Sequence, residues 1–389
     1  MLDSDTQNRG FTPKAALVFT TIYDNPILET YLRNFIKYDR LDAVEVFLIP
    51  DRKTPGRVYD RCREVTMQGL QVTCPTMEEQ EEFLSHLCLP PSFIPQNSDN
   101  RRNVGFLMAL HSRVDFIISI DDDNYCLDED FFGAHAVVCQ DAVEAAVIDT
   151  SLGWYNICEL LRFNRQGPVY PRGFPYYARH RPANPVHTTA QKSIHVNAGL
   201  WLQSPDLDAM SWLVNPAVSQ SFPGQSVVLG RNVWTAVNTQ NTALRAEAVA
   251  AYYYIMMGYP LLGGLPIDRY GDIMAGYFLQ ACMQHLGGSL RVGTPVAEHR
   301  RNRHDYLQDA MREIACLAIM EDLLPWITQQ ARLEGNSYSE TYIALSYLLE
   351  DAVETFQGTL WNNSTRGYFH QTAHYMRKWA TICQSLLGG

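Results

Sequence analysis

Close cysteine pairs are missing from this chain. Its nine thiols are scattered from Cys62 to Cys383 with no Cys-x-x-Cys spacing. That argues against a zinc cluster or a disulfide framework and fits a reducing cytoplasm. Basic charge is also short. Lys and Arg total 31 against 42 Asp and Glu, a formal net charge of −11, so the basic footprint of a nucleic-acid binder is lacking. No run reaches the roughly 18 apolar residues that span a bilayer. The first ten residues are polar and acidic, without the apolar centre of a signal peptide. A cytoplasmic protein with no membrane span and no nucleic-acid partner is the expectation. Internal repeats and low-complexity tracts are lacking too.

What is present is an ordinary globular composition, 46% hydrophobic over 389 residues, enough for two units. Apolar runs at Ala15-Ala16-Leu17-Val18-Phe19-Thr20, Val44-Glu45-Val46-Phe47-Leu48-Ile49 and Phe116-Ile117-Ile118-Ser119-Ile120 read as buried strands, with a weaker one at Gln71-Val72-Thr73. An amphipathic helix is expected over 26–38, opened by Asp24-Asn25-Pro26, and another over 101–112, capped by Asp99-Asn100. This alternation predicts an α/β fold with a mostly parallel sheet flanked by helices. Residues 151–189, rich in Pro, Gly, Tyr and Arg, read as loops over an active-site mouth. Further strands are expected at 194–196, 231–234 and 290–292, and helices over 246–257 and 272–285. From Asp305 the pattern is helical, with Ser337-x-x-Glu340 as a capping box. The expected division is 1–304 and a helical C-terminal extension, 305–389. Its apolar positions, among them Leu317, Leu323, Leu345 and Leu349, suit a core or a homo-oligomer interface.

The sharpest signal is Asp121-Asp122-Asp123-Asn124 at the end of the apolar run 116–120. Three adjacent carboxylates repel one another unless something positive sits among them. At the carboxyl end of a strand in an open α/β sheet they suit a divalent cation that also holds phosphate oxygens. Alternation places Asp121 and Asp123 on one side. The plain alternative is a solvated acidic loop. Upstream, Asp99-Asn100-Arg101-Arg102 puts two guanidinium forks at a helix start, where anions are favoured. A surface helix that happens to begin with arginines reads the same way.

With these motifs in this order, residues 14–300 resemble nucleotide-sugar glycosyltransferases of the GT-A fold, and most closely the group of reversibly glycosylated polypeptides and UDP-arabinopyranose mutases. The resemblance implies nucleoside-contacting loops at Thr20-Thr21-Ile22 and Pro50-Asp51-Arg52, and a donor-binding basic segment from Asp99 through Arg101 and Arg102. It implies a metal motif in Asp121 and Asp123, with Asp122 assisting. Asn197-Ala198-Gly199-Leu200-Trp201 is similar to the group's glycine-leucine-tryptophan segment, which assigns Asn197 and Gly199 to the donor and Trp201 to the acceptor. Arg269-Tyr270-Gly271-Asp272 is similar to its arginine-tyrosine-aspartate segment. A late histidine, here His299, is implied as a further metal ligand, which suits Mn²⁺ better than Mg²⁺. As residues alone, 296–304 read equally as a solvated basic loop.

Asp272, at the start of an apolar helix, reads either as an N-cap or as a general base for an acceptor hydroxyl, and the resemblance favours the base. The stretch holding Trp154, Arg172 and Tyr176 suits stacking on a sugar acceptor or ordinary packing. The leading expectation is a metal-dependent, inverting glycosyltransferase using a nucleotide-diphosphate sugar, uracil preferred, and a hydroxyl acceptor. A nucleotide-sugar mutase and a non-catalytic binder are the alternatives. A pyrophosphorylase would open with a glycine-rich loop, which residues 20–24 lack.

Overall fold

The computed structural model describes residues 12–24, 26–261 and 264–388. Asn25 of the proline start signal, Gly263 and the first ten residues lie outside them. Strands β1 (Ala15–Thr21), β2 (Val44–Pro50), β3 (Gln71–Thr73) and β4 (Phe116–Ser119) lie parallel in the order β3-β2-β1-β4. Helices α1 (Ile27–Lys37) and α2 (Gly56–Met67) cover one face, where Leu17 and Phe19 meet Leu28, Tyr31 and Val58. Helices α3 (Met77–His86) and α4 (Arg102–His111) cover the other, where Ala16 and Val18 meet Leu84, Val104 and Leu107. Burial on both faces is why these strands are unbroken apolar runs. A Cβ on Gly105 would stand 2.5 Å from Val18 Cγ1, so glycine lets α4 lie directly on β1.

The rest of the large sheet mixes directions. It is built from β5 (Asn124–Cys126), β6 (Val143–Asp149), β7 (Arg162–Phe163), β8 (Val186–Lys192), β9 (Ile194–Gln203), β10 (Ser219–Ser221), β11 (Val227–Leu229), β12 (Thr242–Arg245) and β15 (Ser289–His299). Beyond β4 the order is β12-β9-β15-β11-β6-β8, with β9 and β15 parallel and β12 antiparallel to both its neighbours. The strands β13 (Tyr259–Pro260) and β14 (Pro266–Ile267) form a separate hairpin. Strand β5 pairs with the end of β15, His299 opposite Asn124, which carries the histidine to the acidic triplet. Short helices α5 (Phe131–His135) and α6 (Ala209–Val214), and the long α7 (Gly271–His285), complete this part. The α/β class and the helical C-terminal region are as expected.

Three local expectations give way. Residues 231–234 form a turn rather than a strand, because Asn232 adopts a left-handed φ of 63° and only Trp234 bridges, to Trp154. The segment 246–257 is helical only as a 3₁₀ turn at Ala246–Ala251. Its continuation is captured by α4: Tyr254 N donates to Asn103 Oδ1 (3.0 Å), while Asn103 Nδ2 and Asn100 Nδ2 donate to Tyr254 O. Side-chain amides thus take the backbone groups a helix would have used. Finally, Ser98 rather than Asp99 or Asn100 caps the start before α4, accepting from Asn100 N over a 3₁₀ turn at Asp99–Arg101.

From Asp305 the chain is helical: α8 (Tyr306–Gln329), α9 (Tyr338–Thr355) and α10 (Asn363–Gly388). Ser337 caps α9 at Glu340 N, and Glu340 answers at Asn336 N, one residue earlier than a capping box requires. Leu317, Leu323, Leu345 and Leu349 join the same apolar cluster as α4 and the central strands. The fully buried Trp379 donates its indole N–H to Val249 O at 2.8 Å. Among the described residues no helix is long and apolar enough to cross a membrane.

Candidate functional site

The carboxyl ends of β1, β2 and β4 open into one cleft of about 410 Å³. Such strand ends are where open α/β sheets bind ligands. Its lining falls into three groups: Thr20, Thr21, Ile22, Tyr23, Asp51, Lys53 and Ser98; the acidic triplet, tied to the first group by Asp122 and Thr21 and to His299 by Asp123; and Arg172, Asp206, Arg269, Arg301 and Arg303. A hydroxyl relay fixes the first group: Asp51 N donates to Thr54 Oγ1 (2.8 Å), which donates to Thr21 O (2.6 Å). Asp51 Oδ2 accepts from Ser98 N at 3.1 Å, and Tyr254 donates to Asp99 at 3.0 Å.

Each aspartate of the triplet has its own partners. Asp121 receives Arg102 at 2.6 Å and Gln240 Nε2 at 3.3 Å. Asp122 receives the Thr21 hydroxyl at 2.5 Å. Asp123 faces His299 Nε2 at 3.3 Å and receives Asn302 from both backbone and side chain at 3.4 Å. Burial pushes Asp122 up to about 7 despite the Thr21 bond, with its two acidic neighbours adding to the rise. Burial works against charge on Asp123 and His299 as well, but their mutual hydrogen bond and attraction prevail. The aspartate is held low and the imidazole high.

His299 reports on what the site wants. Its Nδ1 lies 2.5 Å from Ser204 O, a group that can only accept, so Nδ1 carries the proton. In the neutral ring Nε2 then turns its lone pair toward the Gln240 amide and the Asp123 carboxylate, both at 3.3 Å, and the carboxylate favours a positive charge at that nitrogen. A proton supplies that charge, and so would a metal ion. Oxygen donors plus one imidazole form a donor set that suits Mn²⁺. Among the described residues no three His, Cys, Asp or Glu side chains stand ready as a ligand cluster, since Asp121 is drawn toward Arg102 and Gln240.

The arginines expected to greet phosphate are engaged elsewhere. Arg101 is 1% exposed and donates to Gln80 Oε1 and Ile94 O. Arg102 donates to Ser119 Oγ (2.9 Å) and Thr239 O (3.2 Å) besides Asp121. Both border the cleft, but their forks are spent on the protein.

Asp272 does not line the cleft. Both its oxygens are held by Arg172, at 3.2 and 2.9 Å, and Arg172 is clamped from the other side by Asp206 at 2.9 Å. Burial penalises the charge on Arg172, yet the two carboxylates keep its pKa well above the usual value. Asp272 also makes no side-chain cap of α7.

Four other candidates sit in the interior. Asn197 is fully buried, donating to His135 Nδ1 (3.0 Å) and accepting from Arg291 (2.7 Å). Gly199 is a strand residue whose N–H bonds Asn241 O at 2.8 Å. Trp154 packs edge-on against Phe174, Tyr177 and Tyr277, and Trp201 is 2% exposed. These are packing roles, because none of the four reaches the cleft. Tyr176 borders a separate groove with Tyr170, Arg179 and Met210, its hydroxyl bonding Asp208 at 3.1 Å.

Sequence reasoning passed over Lys53 and Gln240, which line the cleft. Gln240 had a usable signal: residues 238–242 are five consecutive polar side chains leading into β12, and all are buried. Buried polar runs of that kind need partners.

A model of the reversibly glycosylated polypeptide family matches residues 66–387. UDP-arabinopyranose mutase 1 of Arabidopsis thaliana is 25% identical over 272 residues, covering 69% of this chain and 68% of its own length. Probable UDP-arabinopyranose mutase 4 of the same plant is 25% identical over 289 residues, covering 73% and 71%. Among solved structures, glucosyl-3-phosphoglycerate synthase from Mycobacterium tuberculosis in complex with Mn²⁺ and UDP-glucose aligns over 79% of each chain at 12% identity and a TM-score of 0.40. The family match runs through most of the chain, from α2 to the last helix, and this protein belongs to the reversibly glycosylated polypeptide family.

Proposed function

We propose that this protein is an enzyme that binds a UDP-sugar together with Mn²⁺ or Mg²⁺ and interconverts ring forms of the sugar. The observation that carries the choice over transfer to an acceptor is Asp272. The carboxylate with the best sequence argument for deprotonating an acceptor hydroxyl is buried behind Arg172, with both oxygens occupied. A base so held is a poor proton acceptor. The relatives' names, UDP-arabinopyranose mutases, point the same way.

In this reading Thr20, Thr21, Ile22 and Asp51 receive the nucleoside, and Asp121, Asp123 and His299 hold the cation, with Asp122 beside them. The cation would neutralise the diphosphate as its bond to C1 breaks; O4 would then bond C1 as O5 leaves it, the O4 proton passing to O5, and the diphosphate would rejoin C1. A mutase must keep the UDP in place during ring reclosure, and the chain's part is to hold it by both ends. Arg172, fixed between Asp206, Asp272 and the Arg269 carbonyl, holds the far wall of the cleft in place. The deciding experiment incubates the protein with UDP-arabinopyranose and Mn²⁺, without acceptor, and follows the sugar by proton NMR. Appearance of the furanose form supports the proposal. UDP release only on adding a hydroxyl acceptor would establish the transferase, and binding without turnover a binder.

A further inference from the structure

The cations around the cleft differ in how much of their charge is already answered. Arg102 is paired with Asp121, Arg172 with Asp206 and Asp272, and Arg269 with Asp309 and Glu313 of α8. His304 is bonded to Asp309 at 2.7 Å. Arg301 is different. Like the exposed Lys53 and Arg303, it has no carboxylate within ion-pair distance among the described residues, but of the three only Arg301 has a buried nitrogen, Nη1, without a hydrogen-bond partner. Its guanidinium lies over two rings, 5.2 Å from the centroid of Trp212 in α6 and 5.3 Å from that of Tyr306, the first residue of α8. Those rings are stacked nearly parallel, 5.5 Å apart at 12°. Aromatic faces hold the plane of a guanidinium while leaving its N–H edge free. The backbone on either side is fixed too, since Arg300 N and Asn302 N donate to Asp123 at 2.9 and 3.4 Å.

We infer that Arg301 is the diphosphate-binding fork of this cleft, and that it takes the phosphate farther from the nucleoside. This rests on the UDP-sugar reading above. A desolvated, pre-oriented guanidinium with an unanswered N–H edge fits a phosphoryl group, whose oxygens accept two parallel bonds. The choice of phosphate follows from position. The nucleoside loops follow β1 and β2 and meet the triplet through the Thr21–Asp122 bond, whereas Arg301 lies between His299 and Asn302, which meet the triplet through Asp123, and neighbours Asp206, Arg172 and Arg269. The triplet lies between.

The test compares UMP, which has only the near phosphate, with UDP, by titration calorimetry in Mn²⁺. Arg301→Lys keeps the charge but loses the fork. It should weaken UDP binding by about tenfold or more and leave UMP within about twofold. Trp212→Leu, which removes one ring face and keeps the arginine, should shift UDP in the same sense by a smaller factor. It carries the test alone if Arg301→Lys fails to fold by circular dichroism. Unchanged UDP affinity in the folded variants, or equal losses for UMP and UDP, overturns the assignment. Wild-type protein that binds neither nucleotide would instead remove the UDP-sugar reading, and this inference with it.

Discussion

The bond from His299 Nδ1 to the Ser204 carbonyl dictates what the other ring nitrogen needs, and so links a backbone oxygen to the chemistry of the triplet. Replacing Asp121 and Asp123 together by Asn keeps shape and removes charge. The double variant should fold and lose the Mn²⁺ dependence of UDP binding, and titration with undiminished dependence would place the cation elsewhere. His135 gives a second prediction of a different kind. Its Nε2 donates to Asn241 Oδ1 and its Nδ1 accepts from Asn197, both at 3.0 Å, so the ring is locked neutral. Burial lowers its pKa from 6.5 to about 3. Between those values the unfolded chain binds a proton that the folded chain refuses. This contribution to stability is therefore complete above pH 6.5 and is lost as pH falls toward 3. At pH 5 the loss is roughly 2 kcal/mol. Urea unfolding of wild type and His135→Gln at pH 7 and pH 5 should show the variant less acid-sensitive by about that amount; equal sensitivities would put the proton elsewhere. The triplet was legible because three adjacent carboxylates have few other uses. Asn197 was not, since an amide that completes a buried histidine network has the same sequence signature as one that touches a ligand.

Elements were legible where one pattern dominated. Strands β1, β2 and β4 are buried on both faces and so are continuous apolar runs, and α1 and α7 have the expected limits to within a residue or two. The stretch 246–257 was not, because its residues are buried nearly all round and burial without a polar face carries no period. What ends the 3₁₀ turn is distant in sequence: Asn103 holds both backbone groups of Tyr254. Asn103→Ala should leave the Tyr254 N–H buried and unpaired, at a cost of about 2 kcal/mol. Because the Tyr254 hydroxyl bonds Asp99 at the cleft, nucleotide affinity should fall as well. Chemical denaturation and UDP titration check the two effects separately. Unaltered stability would show that the amide clamp follows the turn and does not fix it.

At the scale of the whole molecule, the boundary near 304 marks a change of pattern, from mixed structure to helices, within a continuous core. Helix α10 packs on α4 and on the 246–251 turn, and Met376, Trp379 and Cys383 belong to the apolar cluster that contains Val18 and Val104. Helix α8 reaches the cleft itself, since Asp309 and Glu313 hold Arg269 and Tyr306 supports Arg301. A periodic apolar stripe announces that a helix buries one face, but cannot say against what, which is why an accessory tail and a shared core look alike in sequence. The two make opposite predictions for removal of residues 305–389. An accessory would leave a soluble, nucleotide-binding 1–304. With a shared core, the fragment exposes Val249 O and the apolar surface under α9 and α10, and should fail to unfold cooperatively or stay soluble. Trp379→Ala in the full chain isolates the same contact more gently. It deletes a fully buried indole and orphans the Val249 carbonyl, which should cost about 3–5 kcal/mol. Thermal and urea unfolding of the variant, with sedimentation and UDP titration of the truncated chain, measure both. A truncated chain that melts cooperatively and binds UDP as the full protein does would show that the nucleotide-binding half stands without its last three helices.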